Sequence, residues 1–334
     1  MRQPNALFIF NPDFFDAVYA PKERDDLRTM VQFPERCFSA DEIITRPDLL
    51  AETELIYSSW GGPLLTQEFL NASPRLKSIF YAAGSIRSIV TEAFWERNIP
   101  ITSAYAANAI PVAEFALAQI ILSLKGVWTY HSEMRRIHRY PDSAQRQPPG
   151  IYGQTVAIIS MGVIGRLLRE RMRPFDFRVI AYDPYLPAAS AAELDVELVS
   201  LEEAFACADV VSLHSPLFEE TAGMITGKLI RSMKRGATLI NTARGGIVNE
   251  PEMIDALKKR PDLLALLDVT ESEPPEEDSP LYVLPNVALT PHIAGSTGAD
   301  RRRMGGYMID ETRRFLNGEN LRWRITREKM ARMT

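Results

Sequence analysis

Thr155-Val-Ala-Ile-Ile-Ser-Met-Gly-Val-Ile-Gly-Arg166 reads as a buried strand, a tight turn and the opening of a helix. Gly162 and Gly165 stand where a dinucleotide-binding turn needs them: the first lets backbone approach a pyrophosphate, the second lets the helix pack closely on the strand. The helix N-terminus then turns oriented N–H groups toward the phosphates, so Gly162, Val163, Ile164 and Gly165 are the candidate cofactor contacts. Ser160 occupies the place of the fingerprint's first glycine, and the expectation is that it makes the turn with a negative φ. The following strand, Arg178-Val-Ile-Ala-Tyr-Asp183, ends in a carboxylate 18 residues after Gly165 (183 − 165). The spacing for a ribose-binding acid is about 20. Asp183 there accepts the ribose hydroxyls and repels a 2′-phosphate, which favours NAD over NADP. Asp183-Pro184 also suits the opening of a turn.

Working outward, short apolar runs alternate with helical patterns, the rhythm of parallel sheets with crossover helices. On the C-terminal side, strands are expected at 155–160, 178–182, 210–214, 238–241, 263–269 and 287–290, a doubly wound nucleotide-binding sheet. On the N-terminal side, strands at 6–10, 55–59, 76–82 and 100–103 and a helix at 91–97 make a smaller α/β unit. Between them the spacing of Val112, Phe115, Ala116, Ile120 and Leu124 predicts one long helix from Pro111 to His138. Gln145-Arg-Gln-Pro-Pro-Gly150 is the clearest break in the chain. The last helical stretch, 301–315, has no sheet of its own and is expected to return to the first lobe. The fold class is therefore α/β: residues 1–105 with 299–334 form a substrate-binding domain, and residues 106–298 a Rossmann domain.

A chain of 334 residues is long for one domain. Its 46% hydrophobic and 24% charged residues match an ordinary soluble protein, and a net charge of −5 offers nucleic acid or an anionic membrane no electrostatic hold. Cys37 and Cys207 show no metal or redox spacing and are expected reduced and buried. His131, His138, His214 and His292 are too scattered for a metal cluster, so no metal is expected. The N-terminal apolar run is too short for a signal peptide, and no window is expected to reach the ~20 apolar residues of a membrane span. These readings point to a cytoplasmic enzyme.

Hydride transfer to a 2-keto acid requires a cation for the carboxylate, a proton donor at the keto oxygen and a group that keeps the donor charged. Arginine suits the first through its planar fork. Histidine beside a carboxylate suits the others. Candidates fall after strand ends, where open α/β sheets bind ligands: Arg244 before Gly245-Gly246, Asp268 and Glu273, and His292.

With Asn241-Thr-Ala-Arg-Gly-Gly-Ile-Val248, Leu267-Asp-Val-Thr-Glu-Ser-Glu-Pro274, Pro291-His-Ile-Ala-Gly295, His214-Ser-Pro-Leu217 with Thr221, and Asn108-Ala-Ile-Pro-Val-Ala-Glu114, the chain resembles the D-isomer-specific 2-hydroxyacid dehydrogenases along nearly its whole length. The resemblance implies a Rossmann cofactor domain, a flavodoxin-like substrate domain, a cleft between them, and a homodimer. It implies Arg244 as the substrate-carboxylate residue and His292 as acid/base, with Glu273 bonded to that histidine. It further implies Asp268, Thr242 and Ala243 beside the nicotinamide, Ser215 along the cofactor cleft, and Gly84 and Ser85 as amide donors to the substrate carboxylate. Trp60, after a strand end, is expected to wall the substrate pocket, as is Tyr81. His214 is expected to be packed with no proton role, and the run Arg301-Arg-Arg303 to be a solvated helix start. Arg87 stands where the family usually has an acid, and pairing with Glu92 is the simpler of its two readings. The ligands implied are NAD(H) and a small 2-keto or 2-hydroxy acid. The alternatives are an NAD(H)-sensing corepressor-like binding protein and a formate dehydrogenase, the latter disfavoured because its histidine pairs with glutamine.

Overall fold

The computed structural model describes residues 2–141 and 147–331. The chain divides into two compact units, 1–108 with 296–334 and 109–295.

In the first unit the strands are β1 (Ala6–Ile9), β2 (Cys37–Phe38), β3 (Leu55–Ser58), β4 (Ser78–Tyr81) and β5 (Ile101–Ser103). A late strand, Arg324–Ile325, pairs antiparallel with β5. The others run parallel in the order β2-β1-β3-β4-β5. This is the flavodoxin-like order, whose direction of winding reverses between β1 and β3. Phe8, Ile9, Leu55, Ile56, Tyr57 and Phe80 are fully buried, as strands covered on both faces must be. The helix Asp300–Leu316 belongs to this unit, and Thr312 on it bonds the Tyr57 hydroxyl at 2.9 Å. Its buried Glu311 accepts the backbone N–H groups of Arg322 and Trp323 at 3.1 Å each. Those bonds fix the turn into the late strand, so the basic tail is docked. Burial raises the Glu311 pKa, and the two N–H donors oppose that.

In the second unit β6 (Thr155–Ile159), β7 (Arg178–Tyr182), β8 (Glu197–Leu198), β9 (Val210–Leu213), β10 (Thr238–Asn241), β11 (Leu264–Leu267) and β12 (Val287–Leu289) form one sheet. All its pairings are parallel, in the order β12-β11-β10-β9-β6-β7-β8. The winding reverses between β6 and β9. Successive residues of β6 enter opposite cores, Val156 and Ile158 on one side, Ala157 and Ile159 on the other.

Three short strands escaped the sequence reading, at 37–38, 197–198 and 324–325, because two residues carry no usable alternation. The single long helix is a correction. The chain forms Tyr105–Leu124, with Pro111 inside it, and then Val127–Ile137. Gly126 takes a left-handed φ of 68° and separates them. The first begins six residues before Pro111 (111 − 105) because the Ser103 hydroxyl accepts the Tyr105 N–H. Its Ala113, Ala116, Ile120 and Leu124 pack into the second unit's core, yet by length and composition alone it reaches what a membrane span needs, contrary to expectation, with 56% of its most apolar window buried in the protein. Cys37 is buried, with its thiol pushed up to about 12 by burial, whereas Cys207 is exposed. Of the expected break, Gln145 and Arg146 lie outside the described residues and Gln147–Gly150 has neither helix nor strand.

Candidate active site

The fingerprint forms the strand-turn-helix that its residues specify. β6 ends at Ile159, Gly162 is the N-cap, and the helix runs Val163–Met172. No side chain caps that helix, which leaves its first N–H groups for an anion. A Cβ on Gly165 would lie 2.3 Å from the Ser160 carbonyl oxygen, while one on Gly162 would meet nothing within 4 Å. Gly165 thus closes the turn, and Gly162 leaves its outer side open to a ligand. Ser160 adopts φ +79°, a correction to the negative φ expected. The turn keeps the left-handed geometry that a glycine would supply, and the serine adopts it at a cost. The Asp183 carboxylate accepts the N–H of Met161 at 2.8 Å and of Tyr185 at 2.9 Å, the second bond forming the turn read at Asp183-Pro184. It joins the phosphate turn to the end of β7.

At the neighbouring strand ends, buried polar atoms lack partners among the described residues: Nδ1 of His214 after β9 and Oγ1 of Thr242 after β10. His214 Nε2 is paired with Ser212 Oγ at 2.9 Å, and burial depresses its pKa to about 4. It is a buried histidine, packed as expected. Ser215 and Ala243 are buried beside these atoms in sequence. An open glycine and an uncapped helix after β6, with orphaned polar atoms after the adjoining β9 and β10, fit a dinucleotide.

Beyond β10, Asn241 shapes the turn carrying Arg244: its Oδ1 accepts from Ala243 N and its Nδ2 donates to Arg244 O, each at 3.0 Å. A Cβ on Gly245 would lie 1.9 Å from the Thr270 carbonyl, so only glycine lets these two loops meet. The Arg244 guanidinium donates to its neighbour's carbonyl at 2.6 Å and makes no ion pair among the described residues. Burial lowers its pKa, and the charge of Glu273 opposes that.

His292 Nδ1 and Glu273 Oε2 are 2.6 Å apart, with the imidazole half exposed. A carboxylate acceptor there assigns the hydrogen to Nδ1 and leaves Nε2 to the solvent side. The loop that presents His292, itself at φ 53°, is pinned by Asp268. This carboxylate is 3% exposed and accepts Thr290 Oγ1 at 2.6 Å, Ile293 N at 2.9 Å and Ala294 N at 2.8 Å. Its own main chain continues the grip, with His292 N on Asp268 O at 2.9 Å. Sequence reasoning missed the helpers Asn241, Ser212 and Thr290. Their signal is only a polar residue in or just after an apolar strand.

In the first unit, Gly84 and Ser85 follow β4 in a turn held by Ser103, whose hydroxyl donates to Ala83 O at 2.9 Å and also to Gly84 O. Trp60 is partly exposed after β3. Tyr81 corrects its expectation: it is 3% exposed and packed in the core, with its hydroxyl pushed up to about 12 by burial. Arg87 donates to Met330 O at 2.8 Å, and Glu92 pairs with Arg327 at 2.7 Å instead. Arg302 and Arg303 are exposed as expected, but Arg301 is folded against rings.

The family model for the D-isomer specific 2-hydroxyacid dehydrogenase NAD binding domain matches residues 117–294. A D-3-phosphoglycerate dehydrogenase of Mycobacterium bovis is 35% identical over 252 residues, 75% of this chain and 47% of that one. The chain thus spans about half the length of that relative. An (S)-sulfolactate dehydrogenase of Chromohalobacter salexigens is 35% identical over 251 residues, 75% of this chain and 81% of that one. The solved D-lactate dehydrogenase from Aquifex aeolicus, complexed with NAD and lactic acid, superposes with a TM-score of 0.71 at 26% identity, covering 94% of this chain and 96% of that one. With more than half its length matched by the family's cofactor-binding domain, the chain belongs to the D-isomer specific 2-hydroxyacid dehydrogenase family.

Proposed function

We propose that this protein transfers hydride between NAD(H) and a small 2-hydroxy or 2-keto carboxylate. The observation that carries the reading is the 2.6 Å pairing of His292 Nδ1 with Glu273 Oε2, beside an arginine within reach of the Glu273 field. In the reducing direction the overall change is keto acid + NADH + H⁺ to hydroxy acid + NAD⁺. Bound NADH would supply the hydride that forms the new C2–H bond. Gly162, Val163, Ile164 and Gly165 hold the pyrophosphate at the helix N-terminus, and Asp183 faces the ribose hydroxyls. Thr242, Ala243, His214 and Ser215 border the rest.

Arg244 grips the substrate carboxylate and, through its charge, draws electron density from the adjacent carbonyl. As the C=O bond becomes an alkoxide, Nε2 of His292 gives up its proton to that oxygen. Glu273 accepts from Nδ1–H throughout, stabilising the imidazolium before the transfer and the ring's orientation after it. A positioned general acid contributes about 10²–10⁴ in rate. Asp268 acts one step back by holding the His292 loop. In the first unit, Gly84 and Ser85 offer backbone amides to the carboxylate, and Trp60 lines the side-chain end. The names of two relatives, a phosphoglycerate and a sulfolactate dehydrogenase, put compact acids with a second anionic group first in the substrate panel.

NADH oxidation at neutral pH against 2-keto acids tests the reading, with His292→Ala beside the native protein. Fast turnover of one acid that falls by 10²-fold or more in the variant is the expected result. NADH binding without turnover of any acid would instead favour a cofactor-sensing protein.

A further inference from the structure

Arg301 stands in the first turn of the helix Asp300–Leu316, where a solvated cation is the simplest expectation. It is not solvated. Its guanidinium carbon lies 4.7 Å from the centre of the Phe14 ring and 5.6 Å from that of Trp60. The two rings meet edge to face at 5.6 Å. Its Nε is buried and has no hydrogen-bond partner among the described residues, and no ion pair joins it to an acid there. A desolvated N–H donor left unbonded costs free energy comparable to a lost hydrogen bond, and ring faces supply attraction but no acceptor.

The location argues for a ligand. Phe14 lies in the segment after β1 and Trp60 in the segment after β3, the two strands between which this sheet's winding reverses. Ligands of open α/β sheets bind outside the carboxyl ends of the strands at that reversal. Asn11 N donates to Trp60 O at 2.9 Å, joining the two segments. Ser59, next to Trp60, donates through its hydroxyl to Ala82 O at 2.9 Å. That bond ties the Trp60 loop to the Ala83-Gly84-Ser85 turn, which the proposed function gives to the substrate carboxylate. Cation, aromatic walls and carboxylate turn therefore occupy one edge of one sheet.

We propose that Arg301 is a specificity-determining residue that receives a second anionic group of the substrate, a phosphate, sulfonate or carboxylate on the carbon chain beyond C2. The two rings cover part of the guanidinium and its Nε is buried, so its fork meets an oxyanion with less competing hydration than an open surface cation has. A neutral or apolar side chain would leave the Nε donor unbonded, so the site discriminates against it. This inference rests on the dehydrogenase reading for its carboxylate turn, but the subsite itself can be tested by binding.

The experiment compares the native protein with Arg301→Leu and Arg301→Lys in the presence of NAD⁺. 3-Phosphoglycerate, 3-sulfolactate and malate, called dianions because each carries two anionic groups, are set against monoanionic lactate and glycerate. The readouts are the ligand-induced shift in unfolding midpoint and kcat/KM for the matching keto acids. We expect at least one dianion to shift the native midpoint, and the one with the largest effect identifies the anion. In Arg301→Leu its kcat/KM falls about 10²-fold, the scale of a lost charge-assisted contact, while monoanions change by less than about 3-fold. Arg301→Lys recovers part of the loss. Equal losses on both classes, or no dianion effect on the native midpoint, overturn the proposal. A dianion shift that depends on Arg301 without turnover of any acid keeps the subsite and rejects the dehydrogenase reading.

Discussion

Asp268→Asn separates a residue that positions the acid/base from one that touches the cofactor. The native carboxylate is buried and accepts three hydrogen bonds, two on Oδ1 from Thr290 Oγ1 and Ile293 N, one on Oδ2 from Ala294 N. An asparagine amide offers one acceptor oxygen and two N–H donors. With its oxygen at the Oδ1 site, the NH₂ faces the Ala294 N–H. With it at the Oδ2 site, the NH₂ faces the Ile293 N–H, and only the Thr290 hydroxyl can rotate to accept. One backbone donor is left unbonded either way, at about 1–3 kcal/mol, and the surviving bonds lose their charge assistance, for a total of roughly 3–5 kcal/mol. The cheapest escape is for the loop 290–294 to open, which unseats His292 from its 2.6 Å contact with Glu273. Misplacement by an ångström costs about 10² in rate. Stopped-flow NADH oxidation with the best keto acid, fluorescence titration of NADH and thermal unfolding read the three consequences. The expected pattern is kcat down about 10²-fold, NADH Kd changed less than about 3-fold, and a lower unfolding midpoint. A variant with kcat within twofold of native refutes the argument. So does one whose NADH Kd rises tenfold while kcat persists, because a direct cofactor contact would then dominate.

Three more outcomes follow from geometry already given. Ser160→Gly releases a non-glycine residue from φ +79°, worth ~1 kcal/mol in the folded state and partly offset by ~0.4–1 kcal/mol of unfolded-chain entropy. The unfolding midpoint should hold or rise, with NADH affinity kept within a few-fold, and a clear fall in either would contradict the strain reading. Gly165→Ala puts a methyl 2.3 Å from the Ser160 carbonyl oxygen. Overpacking of this kind costs about 1–3 kcal/mol, and an NADH titration should show binding weakened tenfold or more if the turn opens. His214, held to about 4 by burial, binds its proton more weakly folded than unfolded. Between its unfolded value near 6.5 and pH 4 the unfolded chain therefore carries more protons, so stability declines as pH falls through that window, by at most about 3 kcal/mol. His214→Gln should flatten that part of the stability–pH curve in urea titrations, and an unchanged curve would remove His214 as the cause.

The fold was legible where apolar runs are uninterrupted. Arg178–Tyr182 and Thr238–Asn241 form strands at the expected residues because Val, Ile and Leu there enter cores on both faces. The long helix was misread because Pro111 resembles a helix start, while the residue that sets the start is Ser103, eight positions earlier (111 − 103). The apolar spacing that was read ends at Leu124, and Gly126 just beyond it breaks the helix there. His292, Glu273 and Arg244 were picked out by motif chemistry; the structure pairs the first two and shows the bonds that shape the Arg244 turn. Asp268 shows the difference. The family resemblance implied a place beside the nicotinamide, but its three hydrogen bonds run to the loop after the next strand, 22 to 26 residues along the chain, a partnership no local pattern encodes.

The unbonded polar atoms carry information that the satisfied ones do not. Buried donors and acceptors are nearly always paired, so each exception asks for a reason. Ser73, before β4, and Tyr19, inside the first core, have no evident ligand-side explanation. His214, Thr242 and Arg301 are different. The first follows β9 at the switch of the larger sheet, the second follows the adjoining strand β10, and the third lies against residues that follow β1 and β3 at the switch of the smaller one. A parallel sheet leaves a crevice where its winding reverses, because the loops on either side depart in opposite directions. Side chains lining such a crevice can remain unbonded within the chain when a ligand supplies the partner. For the larger sheet, the proposed function gives that part to the dinucleotide. In the smaller sheet an anion suits Arg301 for the same reason, since a guanidinium lying against rings has donors to offer and nothing that accepts.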